Sequence, residues 1–106
     1  MYGSKTRAAA IKALQTEHNR QYNARLVIDG IYGPKTKAAI RTIRKGTRGI
    51  LVYILQGLLY CQGHDPKGFD GVFGDNTEAA VLALQKATKI TQDGLPGKNT
   101  FDKLVA

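Results

Sequence analysis

Apolar residues recur along this chain with helical rather than strand spacing. The clearest run follows Thr47, where Leu51, Ile54, Leu55, Leu58 and Leu59 fall at i, i+3, i+4, i+7 and i+8 and Gly63 stands where such a helix would stop. Ala80, Val81 and Leu84 share a helical face after Thr77, as do Phe101, Leu104 and Val105 after Thr100. The first half repeats the theme with Ala10, Ile11 and Leu14, then with Ala39, Ile40 and Ile43. No segment alternates with period two, and the short stretches 26–28 and 91–92 lead into Asp-Gly pairs and read as loops. The expected fold class is therefore all-α.

The loops share a pattern, Asp-Gly-x-x-Gly-x-x-Thr. Asp29, Gly30, Gly33 and Thr36 carry it, then Asp70, Gly71, Gly74 and Thr77, then Asp93, Gly94, Gly97 and Thr100. A cut copy opens the chain, where Tyr2, Gly3 and Thr6 match Tyr32, Gly33 and Thr36. Asp-Gly is turn chemistry: the carboxylate accepts from a backbone N–H two residues on, and glycine takes positive φ without a Cβ clash. Pro34 after Gly33 suits the first position of a helix, which makes Gly33 the expected N-cap. A loop-to-helix junction accounts for most of the pattern. It leaves unexplained the ring between the glycines, Tyr2, Tyr32 and Phe73, with Pro96 the exception.

Charge divides the chain. Residues 1–50 carry 11 Lys and Arg against Glu17 and Asp29, whereas residues 51–106 carry 5 Lys against 6 acids. A basic half suits nucleic acid, anionic lipid or the phosphate-bearing polymers of a bacterial wall, and equally a solvated helix surface. Lys35, Lys37, Arg41, Arg44, Lys45 and Arg48 would carry nucleic-acid binding, yet no recognised nucleic-acid motif accompanies them. No stretch has the length and apolarity of a membrane span. Catalysis lacks its residues. The only glutamates are Glu17 and Glu78, and most aspartates are committed to turns, against the paired carboxylates of glycoside hydrolysis. Cys61 and His64 make a lone pair short of a zinc site, and Pro66 and Gly71 break the calcium-loop alternation of Asp65, Asp70 and Asp75. Neither a metal nor an organic cofactor is expected.

The order of these motifs resembles the peptidoglycan-binding domain found in tandem on bacterial amidases, muramidases, carboxypeptidases and phage endolysins. Leu55-Gln56, the run Asp70 to Thr77, Leu84-Gln85 and the run Asp93 to Thr100 follow the family pattern throughout residues 47–106. Residues 1–46 match only its later part, through Leu14-Gln15 and Asp29 to Thr36, with 30 residues from Gly3 to Gly33 against 23 from Gly74 to Gly97. In this register 47–106 is a complete three-helix module, and 1–46 is a partial copy that lacks its first helix.

The resemblance implies non-catalytic binding of peptidoglycan, through stem peptide and glycan, at the bacterial cell wall, outside the cell or after release from the cytoplasm by a phage lysis system. It also implies targeting of an attached lytic domain on the N-terminal side. Ligand contacts carried over are Asp70, Phe73, Asp75, Asn76 and Thr77 in the complete copy and Tyr32, Lys35 and Thr36 in the partial one. The phenylalanine ring is expected to be exposed for stacking, with plain core packing the alternative. Tyr53 and Tyr60 are further ring candidates on the long helix. Met1 stands where Ile31, Val72 and Leu95 stand in the other copies, as at the start of a fragment of a longer enzyme. A missing helix would leave Leu14 and Ile40 at the centre of an apolar patch, to be covered by the complete copy or by a second chain in a homodimer.

Overall fold

The computed structural model describes residues 4–105. Those residues form five α-helices: α1 (Ser4–Tyr22), α2 (Pro34–Ala39), α3 (Ile50–Cys61), α4 (Asp75–Ala87) and α5 (Lys98–Leu104). The cut motif at Tyr2 and Gly3 lies outside them.

The fold is all-α, and its helices start and stop for local reasons. Gly33, Gly74 and Gly97 are the N-caps of α2, α4 and α5, with Pro34 leading α2. At the far end of α3, Gly63 takes φ +87, and the N–H groups of Gly63 and His64 close onto the carbonyls of Tyr60 and Leu59. This left-handed closure satisfies carbonyls that a bare helix end would leave unpaired. Lys89 plays the same part after α4 at φ +58, where Ile90 N–H reaches the Gln85 carbonyl at 3.1 Å.

A single core joins both halves of the chain. Ile11 and Leu14 of α1 enter it together with Ile40, Ile43, the inner face of α3, and Phe73, Val81, Leu84, Phe101 and Leu104. α3 lies between α1 and α4, and α2 packs on α5. Leu14 and Ile40, the expected centre of a dimer patch, are thus buried within one chain. The packing reason for a homodimer disappears, and the intramolecular alternative accounts for the apolar faces.

The helix expected to carry Ala39, Ile40 and Ile43 on one face stops at Ala39. Ile40 turns to ψ 126, and residues 40–46 run irregularly. Three β-branched residues, Ile40, Thr42 and Ile43, weaken the helical alternative. Tertiary partners take up the backbone: Arg41 N–H reaches Nε2 of His18 at 3.2 Å and Ile43 N–H the Pro96 carbonyl at 3.3 Å. The chain then clasps the loop before α4 through Gly46 N–H to Phe73 O, Phe73 N–H to Thr47 O and Gly49 N–H to Gly71 O, at 2.8 to 2.9 Å. Gly71 is required here: its φ is +70, and a Cβ would stand 3.2 Å from the Gly49 carbonyl oxygen.

His18 makes this packing pH-dependent. The ring is 1% exposed, with Nδ1 2.8 Å from the Leu14 carbonyl oxygen and Nε2 accepting from Arg41 N–H. That pairing requires a neutral imidazole protonated on Nδ1. Burial pushes its pKa below the ordinary 6.5; the Leu14 carbonyl opposes this and the Arg41 charge adds to it. The unfolded chain therefore takes up the proton first as pH falls through about 6.5, and stability declines from there until the folded histidine also titrates. Urea midpoints are expected to drop between pH 7.5 and 5.5, with a slope of at most about 1.4 kcal/mol per pH unit from this group. A His18→Gln variant is expected to show a flatter profile over that window; an unchanged slope would place the titration elsewhere.

Candidate functional site

The three Asp-Gly loops are held by one device, a glutamine buried on the preceding helix. Gln56 Nε2 lies 3.0 Å from Asp70 Oδ1, 3.1 Å from the Val72 carbonyl and 3.0 Å from Thr77 Oγ1, while its Oε1 accepts from Gly71 N–H at 3.0 Å. Gln15 repeats the set with Asp29, Ile31 and Thr36, and with the N–H groups of Asp29 and Gly30. Gln85 does so with Asp93, Leu95, Thr100 and Gly94 N–H. Each aspartate also accepts from the N–H two residues on, Ile31, Val72 or Leu95, as the turn chemistry predicts. These bonds favour the carboxylate. The Gln56 amide and then Val72 N–H hold Asp70 below the usual range, and Ile31 N–H and then Gln15 do the same for Asp29.

Each knot floors a shallow cleft at the start of the next helix. The cleft before α4 is about 300 Å³ and is lined by Pro66, Lys67 and Gly68 on one side and Asp75, Asn76 and Thr77 on the other. Its counterpart before α2, about 370 Å³, is walled by Leu26, Val27, Pro34, Lys35 and Thr36. The third, before α5, is about 450 Å³ and lies between the halves, with Lys37 and Thr42 facing Lys98, Asn99 and Thr100. Chemistry differs from cleft to cleft even though the floor is kept. The α2 cleft is rimmed by apolar side chains and Lys35, the α4 cleft by carboxylate, amide and the Lys67 ammonium, the α5 cleft by lysines and amide.

The expected contact residues divide accordingly. Asp70, Asp75, Asn76 and Thr77 come together in the α4 cleft, and Lys35 and Thr36 in the α2 cleft. Asp75 and Asn76 present exposed side chains at the rim; Asp75 pairs with Lys45, which lowers its pKa. Thr36 and Thr77 are buried as glutamine partners, so they hold the floor. Phe73 departs from expectation: its ring is 1% exposed and belongs to the core, where it cannot stack on a ligand. Tyr32 is half-buried, its hydroxyl donating to the Lys98 carbonyl at 3.3 Å, and burial followed by the Asp102 charge raises its pKa. Tyr53 and Tyr60 stand exposed on α3, apart from the α4 cleft.

The three glutamines, Lys67 and Asn99 were not among the expected residues. The glutamines had a signal in sequence, the Leu-Gln pair recurring before each Asp-Gly loop, but its meaning lies in hydrogen bonds spanning up to 21 residues. No group of three or more His, Cys, Asp or Glu side chains able to hold a metal comes together among the described residues. No helix among them is long and apolar enough to cross a membrane.

A crystal structure of a peptidoglycan-binding protein from Clostridioides difficile in complex with glutamine hydroxamate is similar over 60% of this chain, at 39% sequence identity and a TM-score of 0.58. This chain spans 40% of that protein's length. No curated protein matches. The peptidoglycan binding domain family matches residues 48–104, which take in α3, α4, α5, the whole α4 cleft and one wall of the α5 cleft, and the chain belongs to that family.

Proposed function

We propose that this chain binds bacterial peptidoglycan without cleaving it and holds an attached lytic domain on the wall. The observation that carries the reading is the α4 cleft. It lies inside the family match, and a rigid Gln56, Asp70 and Thr77 floor presents Asp75, Asn76 and Lys67 at a concave, polar surface. Convergent amide, carboxylate and ammonium groups can fix the orientation of a peptide bearing both charges. The basic half adds attraction to an anionic wall, screened by salt.

The hydrogen bonds also support a different register for the first half. Gln15 meets its Asp, carbonyl and Thr partners at separations of 14, 16 and 21 residues, and so does Gln56; Gln85 uses 8, 10 and 15. The pairing of Asp29-Gly30-Ile31-Tyr32-Gly33 with Asp70-Gly71-Val72-Phe73-Gly74 points the same way. In this reading α1 corresponds to α3 and α2 to the start of α4, so the partial copy keeps its first helix and lacks its last.

Sedimentation with purified wall tests the function. The chain is expected to pellet with peptidoglycan, to release neither reducing sugars nor amino groups, and to leave DNA unshifted at physiological salt. Asn76→Ala, which alters only an exposed rim group, is expected to weaken pelleting about tenfold without changing the melting temperature. Binding to wall stripped of teichoic acid is expected to persist. Its complete loss would make the anionic polymer the ligand, and a DNA shift without pelleting would assign the basic half to nucleic acid.

A further inference from the structure

α3 carries no charged residue, so its outer face presents rings and aliphatic groups where a surface helix usually carries charge. Ile50, Tyr53, Gly57 and Tyr60 follow one another along that face, with Tyr53 54% and Tyr60 55% exposed. Tyr53 and Tyr60 are two helical turns apart, so their rings stand on the same side about 10 Å from each other along the axis. Phe69, itself exposed, meets Tyr60 edge-on with ring centroids 5.5 Å apart and limits its swing. Neither hydroxyl is engaged by another described residue.

Gly57 separates the two rings. A glycine inside a helix is destabilising relative to alanine, and this one has no packing reason: a Cβ there would meet nothing within 4 Å. Its effect is to leave a bare trough between the aromatic side chains. At the N-terminal end the trough meets a groove of about 570 Å³ lined by Ile50, Tyr53, Ile54, Gly71 and Val72, and Asp70 and Val72 line both this groove and the α4 cleft.

We infer that this face is a second binding surface, a platform on which a stretch of wall glycan lies with sugar faces on Tyr53 and Tyr60 and its chain over Gly57. The inference rests on the wall-binding reading and assigns the glycan to α3, leaving the peptide to the cleft around the Asp70–Val72 turn. The dimensions favour a sugar chain over a protein. The exposed stripe of a 12-residue helix is about 18 Å by 10 Å, on the order of 180 Å², against about 800 Å² per partner in a stable protein interface. A helix with no charge of its own and with free phenol hydroxyls suits the apolar faces and hydroxyl edges of pyranose rings, and Arg48 and Asp70 line the groove at its N-terminal end.

The experiment compares intact wall with glycan strands freed of stem peptides, using wild type, Gly57→Leu and Tyr60→Ala. Gly57→Leu fills the trough and improves the helix, so its melting temperature is expected to rise by about 4 °C while its affinity for peptide-free strands falls about tenfold. Tyr60→Ala is expected to lose a similar factor with its circular dichroism unchanged. A stabilised Gly57→Leu chain that binds the strands as wild type does overturns the platform. So does a wild type that pellets with intact wall and ignores the strands. A wild type that binds neither brings down the wall-binding reading itself, a distinguishable result.

Discussion

Replacing Gln56 with leucine is expected to cost about 3–5 kcal/mol, among the largest effects available to a single side chain here. The volume is nearly kept, so the loss comes from polar groups. Thr77 Oγ1 and Gly71 N–H are left buried without Gln56, each at about 1–3 kcal/mol, and the half-buried Val72 carbonyl loses a net bond of about 1 kcal/mol, while the exposed Asp70 carboxylate turns to water. Apolar transfer of the leucine offsets part of this. Against a total stability of about 5–15 kcal/mol, the melting temperature is expected to fall by about 15 °C or more. Thermal and urea unfolding followed by circular dichroism give the number. A change below about 1 kcal/mol would mean that water replaces the amide and that the knot is not what holds the loop. Gln15→Leu, which removes the same set of bonds from the first loop, is expected to behave alike.

Much of the fold was legible because its signals are local. The i, i+3, i+4, i+7, i+8 run locates α3, glycine with left-handed geometry ends it, and each Asp-Gly pair makes the turn its chemistry dictates. What sequence spacing missed depends on distant partners. Ile40 and Ile43 look like the continuation of a helical face, but His18 and Pro96 claim the backbone of the segment and draw it out of the helix. Register in the first half turns on distant partners too. The Tyr-Gly pair near Met1 aligns α1 with a second helix, whereas the register we propose, which groups α1 with α3, rests on glutamine hydrogen bonds that form only once the loops close. At the site, the exposed rim residues Asp75, Asn76 and Lys35 could be taken from the motif. Which motif residues face inward could not, since Asp-Gly-x-Phe-Gly reads the same whether its ring points to ligand or to core.

Phe73 settles that last ambiguity by measurement. Tyr32 and Phe73 occupy the same motif position, and their surroundings explain the difference in chemistry. The tyrosine is half-buried with a carbonyl for its hydroxyl, at Lys98, whereas the phenylalanine is enclosed by the core, in which a hydroxyl would need a buried partner. Its backbone is also fixed, through N–H to Thr47 O and through its carbonyl to Gly46 N–H. The chain therefore cannot slide to fill a void left by truncation. Phe73→Ala is expected to cost about 3–5 kcal/mol, transfer and cavity terms together, and to leave a chain that melts well below wild type. Phe73→Leu keeps most of the volume and is expected to cost about 1–1.5 kcal/mol. Being folded, the leucine variant is the one on which wall binding can be read, and its pelleting with peptidoglycan is expected to match wild type. Two results together would return the ring to the ligand surface: an alanine variant with an unshifted melting temperature, and a folded leucine variant that no longer binds the wall.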